Sequence, residues 1–542
     1  MRKWMILSLC WAASLVGEPA DVIFFGGDII TVNDQQPDAE AVTIKGNKIV
    51  FVGDKKTAFE QKGEKTELVD LQGKTLMPGF IDPHTHVILD ALITASIDVS
   101  PFKYKTIGEV TNVLKEASKK GSVLAFGYDP SLMTDPGHLN FETLDAISTE
   151  VPIVVVNKSG HIAYGNHKAF EVANINDATP KPVGGSYQKD KEGHLTGLGY
   201  EVPAVGQLIS AVNKISPDQY PKMTRDALKV YAAAGYTTVT DLGLGLPLPT
   251  QDAHIKLMSD VSNAPDAIMR VQGFLVTNLL DKIPALRKQN NAMFQVLGLK
   301  IWADGSIQGY TAAMKQNYKD SDTKGTLNFS QKQLTEIVMN ARKQGIQVAV
   351  HANGDQAIED TITAFEKAQE AYPSNDLRFR IEHATVTDPD QWKRIAKVKA
   401  TPSFTEHHLY YWGDAFQDKI LGNPRAEWLD AAKTAKDLGL KFSFNDDSLA
   451  PAQPLLFIQV AATRKTDDGR ELNPQQKISI DDAIKGVTLY PAWQSFREKE
   501  LGSIEPGKFA DFVVLDQNPK KVDVNKIKDI KVVGRWLNGK HD

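Results

Sequence analysis

Short apolar runs, several of them ending in a histidine or an aspartate, alternate with stretches of helical periodicity over most of this chain. The runs are "TTVTDLG", "VLGLKIWADG", "IQVAVHANG", "RFRIEHATV", "ATPSFT" and "KFSFND", with "GVTLYPAW" after a helical stretch near the end. Between them lie segments such as "SQKQLTEIVMNARKQG" and "DPDQWKRIAKV". Near-continuous apolar strands separated by helices predict a parallel sheet covered on both faces. About eight such units close into a TIM-type (β/α)8 barrel, expected here over residues 76–495. Residues of about 95–220 are less regular and are expected to form an insertion within the barrel. The chain ends differ. "DVIFFGGDIITV" and "AVTIKGNKIVFVGD", the latter with a hairpin turn at Gly46-Asn47, match "GSIEPGKFADFVVLD" and "IKVVGRWLNGK" in their short strands and glycine-rich turns. Neither end is large enough to fold well alone. Residues 21–75 and 496–542 are therefore expected to build one small β-sandwich domain together.

Of the 542 residues, 42% are hydrophobic and 24% charged, an ordinary globular balance. Sixty-two basic residues against 67 acidic ones leave a net charge of −5, which gives no electrostatic reason to expect nucleic acid or an anionic membrane as partner. The N-terminus "MRKWMILSLCWAASLVG" has two basic residues and then an apolar run too short to span a bilayer comfortably. It has the pattern of an export signal, assigned to residues 1–20, and implies a periplasmic or secreted protein with no other membrane association. Cys10 is the only cysteine. A mature chain without thiols can form no disulfide and no cysteine-based zinc site, so any metal must be held by imidazole, carboxylate or a less common ligand.

In "GFIDPHTHV", His84 and His86 stand one residue apart at the end of an apolar run. Side chains alternate faces along a strand, so both imidazoles share one face, their α-carbons roughly 6.5–7 Å apart. Alone, the pair is a moderate signal. Further polar groups stand at the expected C-terminal ends of the other strands: Lys300 and Asp304, His351, His383 and Asp446. In a parallel barrel those ends converge on one face, where active sites form. Each residue has a duller reading: a satisfied core histidine, a rim lysine, a helix N-cap for Asp446. One bound ion explains them together. Imidazoles and a carboxylate suit zinc or another divalent first-row ion, and such an ion with open positions activates water towards an amide-like bond. Asp446 is placed to take the water proton and return it to a leaving nitrogen. Lys300 does not fit as a simple ligand, because an ammonium has no acceptor.

The blocks "PGFIDPHTH", "GLKIWADGSIQGYTAAM", "VAVHANGDQAI", "RIEHATV" and "LGSIEPGKFADFVVLD" closely resemble, in order, those of the amidohydrolase superfamily. The likeness is to its family 3, the group of YtcJ-like proteins and N-substituted formamide deformylases. "LDAISTEVPIVVVNKSGHIAYGNHKAF" and "TGLGYE" extend the resemblance to residues 21–535. It implies one or two divalent ions, with zinc expected, and a carboxylated lysine bridging two metals, which resolves the difficulty with Lys300. The implied ligands are His84, His86, Lys300, His351, His383 and Asp446. "NDDSLAPAQPL" offers two aspartates; the family spacing to Pro454-Leu455 selects Asp446, with Asp447 as the alternative. Phe444-Asn445 departs from the Gly-Ser commonest in the family. The resemblance also implies that His161 is a substrate-side donor or electrophile, and that Glu201, Asp304 and Asp355 occupy family positions, of which Glu201 and Asp304 are expected to bind substrate. His407, in "TEHHLYYWGD", is expected to touch substrate from a loop wall over the site.

The expected activity is metal-dependent hydrolysis of a carbon–nitrogen bond in a non-peptide amide, an N-acyl or N-formyl compound. The alternatives are an ester, lactone or cyclic amide attacked in the same way, or an exoenzyme-regulatory protein without catalysis. A retired catalyst would be free to lose ligands. The expected partner is a small molecule, and a homodimer is an admissible assembly.

Overall fold

A computed structural model describes residues 18–246, 250–448 and 452–541. The expected export signal falls outside them except for residues 18–20. Among the described residues no helix is long and apolar enough to cross a membrane.

Eight parallel strands form the centre: β1 (Phe80–Thr85), β2 (Tyr236–Leu244), β3 (Arg270–Val276), β4 (Phe294–Trp302), β5 (Gln347–Ala352), β6 (Arg380–His383), β7 (Thr401–Phe404) and β8 (Ser443–Phe444). Each pairs in parallel with the next. β8 is only two residues long, and the ring closes beyond it, where Asp447 N–H donates to the His84 carbonyl at 3.0 Å. The barrel is the one anticipated from strand–helix alternation. One strand was misplaced: "GVTLYPAW" enters a helix, Leu489–Gln494, from its leucine onward, with Pro491 in the first turn. Proline tolerates the start of a helix because the amide it lacks would be unpaired there anyway.

The helices between strands follow from local chemistry. Gln331–Lys343 begins at Ser330, whose hydroxyl accepts from Gln333 N while the Gln333 side chain returns to Ser330 N. Leu334, Val338 and Ala341, at helical spacing, turn one face to the core. Pro389–Val398 starts in the same way at Asp388 and buries Trp392, Ile395 and Val398.

The two chain ends share one eight-stranded sheet, in which Thr75–Pro78 pairs with both Ala20–Ile30 and Phe512–Leu515. Phe24 packs edge-on against Phe512 and Trp536 in its core. Thr75–Pro78 leads directly into β1 through Gly79, where any side chain would run into Thr237. Glycine is therefore the residue that lets the terminal sheet sit this close to the barrel. A six-stranded sheet running from Ile97 to Tyr200 lies in the inserted region. The turn Asn157–His161, between its strands Ile153–Asn157 and Ile162–Gly165, brings His161 to within 4.9 Å, ring to ring, of His351 at the barrel mouth.

Terminal sheet and barrel are joined by a buried ion pair. Arg270 of β3 donates to Asp511 from Nε (2.6 Å) and from a terminal nitrogen (3.1 Å), and also to the Ala292 carbonyl and to Asn538. Removing one member of such a pair strands the other charge, which typically costs about 3–5 kcal/mol. Asp511→Ala should therefore lower the denaturant midpoint markedly in equilibrium unfolding. An unchanged midpoint would mean that the clamp contributes nothing to cohesion.

Candidate metal centre

The mouth of the barrel gathers His84 and His86 from the end of β1, Lys300 from β4, His351 from β5, His383 from β6 and a carboxylate from the turn after β8. That carboxylate belongs to Asp447. Its Oδ1 lies 3.1 Å from His84 Nε2 and 3.4 Å from His86 Nε2, and its Oδ2 lies 3.8 Å from His383 Nε2. His84, His86 and Asp447 have ligand atoms that all approach one another within 4.8 Å. Asp446, selected from its spacing to Pro454-Leu455, turns away. One of its oxygens accepts from Tyr236 OH at 2.5 Å and the other from Gln453 N at 3.1 Å. Burial pushes its carboxyl up to about 7. The physical reason lies in the turn: Asp447 and Ser448 adopt left-handed backbone (φ 45° and 58°), so successive side chains do not keep the alternation of a strand.

Surrounding groups settle which imidazole nitrogens face inward. His351 Nε2 meets the Gly305 carbonyl at 3.0 Å and Asp304 Oδ1 at 3.5 Å. The nearest of these, a carbonyl that only accepts, favours the proton on Nε2 and a bare Nδ1; Asn353 Nδ2, 3.2 Å from the same Nε2, donates to that carbonyl at 2.9 Å. His383 Nδ1 lies 2.8 Å from Thr405 Oγ1, which itself donates to Asn445 Oδ1 at 2.9 Å. The hydroxyl hydrogen is thus committed, so Nδ1–H of His383 donates and Nε2 is bare. The two bare nitrogens, His351 Nδ1 and His383 Nε2, stand 3.0 Å apart. Two lone pairs this close repel unless a cation lies between or beside them. Glu382, held by Arg380 through two hydrogen bonds of 2.7 and 2.9 Å, sits 3.0 Å from His84 Nδ1, off the best hydrogen-bond axis. Its charge favours the proton on Nδ1, leaving His84 Nε2 bare towards the centre.

Burial, with neighbouring positive groups, holds the pKa values of His84, His351 and His383 well below the usual histidine range. Neutral imidazole is the ligand form. Lys300, also fully buried, has its ammonium pulled down to about 8 chiefly by that burial, and its Nζ is 3.0 Å from His84 Nε2. A donor set of neutral imidazoles and a carboxylate, without sulfur, fits a divalent ion such as zinc.

The other expected site residues separate clearly. His161 Nδ1 pairs with Glu201 Oε2 at 2.6 Å, which leaves Nε2 as the nitrogen free to meet a substrate. Glu201 begins α2 (Glu201–Val212) with φ 68°. Asp304 was expected to bind substrate, but its oxygens accept from the backbone amides of Asn353, Gly354 and Ala313 at 2.9–3.0 Å. It organises loops around His351. Asp355 accepts from Lys315 N and lies in a helix's first turn. His407 and His408 open α3 (His407–Ala415). His407 packs against Phe457 and Tyr411, at 4.8 and 5.7 Å between ring centres, whereas His408 stands 5.9 Å from His383. His408 is thus the nearer of the two to the centre, the reverse of the expectation. Two positioning residues escaped sequence reasoning: Thr405, and Asp241, whose Oδ2 accepts from Val87 N just after His86. A third, Asn445, stood out in the sequence only as a departure from the family's commonest residue, without a role.

The amidohydrolase family profile matches residues 67–541. The chain is 30% identical to Protein LONG AFTER FAR-RED 3 of Arabidopsis thaliana over 97% of its own length and 92% of that protein's. It is 25% identical to the N-substituted formamide deformylase of Arthrobacter pascens, over 96% of this chain and 97% of that one. Among solved structures, an uncharacterized metal-dependent hydrolase from Pyrococcus horikoshii superposes with a TM-score of 0.73 at 25% identity, covering 93% of this chain and 99% of that one. The fold is the barrel found in that metal-dependent hydrolase. This chain belongs to the amidohydrolase family.

Groups that orient metal-ligating histidines typically contribute 10–100-fold in metal affinity. Thr405→Val, which keeps the volume but deletes the acceptor for His383 Nδ1–H, should weaken binding of a divalent ion by about that factor in competition with a chelator. Unchanged affinity would show that His383 is not a ligand.

Proposed function

We propose that this chain hydrolyses a carbon–nitrogen bond in a non-peptide amide, an N-acyl or N-formyl compound, using one or two divalent ions, with zinc the expected metal. The observation that carries this reading is the facing pair of bare imidazole nitrogens on His351 and His383, beside His84, His86 and Asp447. When bound there, a divalent ion supplies a nucleophilic water at neutral pH and Lewis-acid polarisation of a carbonyl. His84, His86, His351 and His383 would hold it, with Lys300 and Asp447. Lys300 can serve once its neutral amine has taken up carbon dioxide as a carbamate, and its depressed pKa enlarges the neutral fraction that does so.

The chain's own residues then divide the work. Asp447, its Oδ1 3.1 Å from His84 Nε2 and 3.4 Å from His86 Nε2, would take the proton of the attacking water and return it to the departing nitrogen, as general base and then acid. That role passes to Asp447 from Asp446, whose oxygens are engaged by Tyr236 and Gln453. His161, its Nδ1 held by Glu201 and its pKa raised by that carboxylate against the opposing effect of burial, offers an Nε2–H donor. It would steady the oxygen that gains charge as the carbonyl is attacked. With the N-terminal segment read as an export signal, the reaction belongs to the periplasm or the exterior.

The relative that acts on N-substituted formamides by name directs the first assays. The chain, purified and supplied with zinc, should be screened on N-formyl and N-acyl amines. Asp447→Asn should retain metal but lose about 10²–10⁴-fold in kcat, the usual range for a general acid–base group. Asp446→Asn, replacing a carboxyl whose oxygens are engaged by Tyr236 and Gln453, should stay within about tenfold of wild type. A folded Asp446→Asn protein as impaired as Asp447→Asn would return the role to Asp446.

A further inference from the structure

The side chains around the centre are not shut in equally. Those of His84 and Lys300 are fully buried and that of His383 nearly so, whereas His86 and Asp447 keep 11% and 14% of their side-chain surface exposed. Among the described residues, solvent therefore reaches the centre on the side of these two. His86 is held there by its backbone. Its amide donates to Ser448 Oγ at 3.1 Å, and it stands directly before α1 (Val87–Ala95), whose Val87 N–H donates to Asp241 Oδ2 at 3.1 Å. Towards β2 the imidazole is packed in, since a β-carbon added to Gly243 would come within 2.8 Å of His86 Nδ1 and 2.9 Å of Leu246 Cδ1.

Beside this histidine stands an indole. Trp302 ends β4 two residues after Lys300, so the two side chains share one face of the strand. It pairs in register with His351 of β5, and Ala303 N–H donates to the His351 carbonyl at 3.0 Å. The Asn328 side chain donates to the Trp302 carbonyl at 3.2 Å, so the strand end is fixed. Lys300 Nζ lies 5.2 Å from the centre of the indole. The His86 ring lies 6.4 Å from it, tilted by 27° from parallel, inside the range of separations that aromatic rings favour. The indole thus borders the centre itself, reaching from β4 to the histidine of β1, and it is only half-buried.

His161 limits where a substrate can lie. Its ring is 4.9 Å from that of His351, the residue paired with Trp302. A carbonyl met by His161 and the metal ligands leaves the rest of its molecule next to the indole. Indole offers a broad flat apolar face and one N–H donor, with no charge and no acceptor by which to recognise a polar group. Aromatic rings gain on such a face, by offset stacking or edge contact, more than their buried area alone provides.

We propose that Trp302 binds an aromatic ring of the substrate beside the scissile bond, so that the amide cleaved here is one that carries an aryl group; this rests on the hydrolase reading above. Trp302 sets specificity through the part of the substrate that does not react.

The test is equilibrium binding of phenylacetohydroxamate and cyclohexylacetohydroxamate to the zinc-supplied full chain. The two probes share one metal-chelating head, and the saturated ring is at least as apolar, so burial alone gives the phenyl compound no advantage. Wild type should bind the phenyl probe about fivefold more tightly. Trp302→Leu, with its zinc content unchanged, should bring the two affinities together, and Trp302→Phe should keep most of the difference. Equal affinities in wild type, no binding of either probe, or a preference that survives Trp302→Leu would overturn the proposal. If Trp302→Leu loses its zinc, Trp302→Phe decides: a zinc-loaded Trp302→Phe protein without the preference would make the indole a support for the ligands and overturn the proposal as well. Binding needs no turnover, so the two readings fail separately. An aromatic preference in a chain that hydrolyses no N-formyl or N-acyl compound would sink the hydrolase reading and leave the aromatic site standing; hydrolysis without that preference would do the reverse.

Discussion

Two imidazole nitrogens, each stripped of its proton by the hydrogen bond made at the far side of its ring, face one another across 3.0 Å at the barrel mouth. The rest of the site depends on that confrontation. It is maintained by groups with no catalytic role of their own: the Gly305 carbonyl behind His351, and Thr405 and Asn445 behind His383. The backing residues come from different strand ends, so the tautomers are fixed only when the barrel is assembled. Burial adds to this by disfavouring protonation of the rings. The fold thus prepares neutral, convergent ligands before any ion arrives, which limits the reorganisation that binding requires.

The backbone is strained at the same places. His383 and Ala384, at the end of β6, have φ of 72° and 49°; Asp447 and Ser448 have 45° and 58°; Glu201, behind His161, has 68°. Non-glycine residues in this region cost of order 1–3 kcal/mol each and persist where their surroundings over-determine them. Here the Thr405 hydroxyl holds His383, and the bond from Asp447 N to the His84 carbonyl closes the barrel. The bond that closes the ring is also the one that aims Asp447 at the histidines. Fold and site are joined at that turn.

Most of this was legible in the sequence. Period-2 alternation in "GFIDPHTHV" put His84 and His86 on one face, and the positions of Lys300, His351 and His383 after apolar runs placed them at one end of a parallel sheet. What was not legible involves the places where periodicity stops. After a strand of two residues, Ser443–Phe444, the chain enters left-handed turns, and counting residues cannot tell which of two adjacent aspartates points inward. His407 and His408 open a helix, where neighbouring side chains diverge by about 100°, so one faces Phe457 and the other His383. "GVTLYPAW" has the composition of a strand, but its proline suits the first turn of a helix. Asp304 has the residue type of a ligand, yet three backbone amides occupy it, a pairing that depends on loops far apart in sequence.

The central claim is that these imidazoles hold a divalent ion, and X-ray absorption at the zinc edge of the zinc-loaded protein tests it most directly. The account predicts a first shell of nitrogen and oxygen at about 2.0–2.2 Å, with no sulfur and with the outer-shell scattering of several imidazoles. A shell made only of oxygen, without imidazole scattering, would place the ion elsewhere and contradict the account.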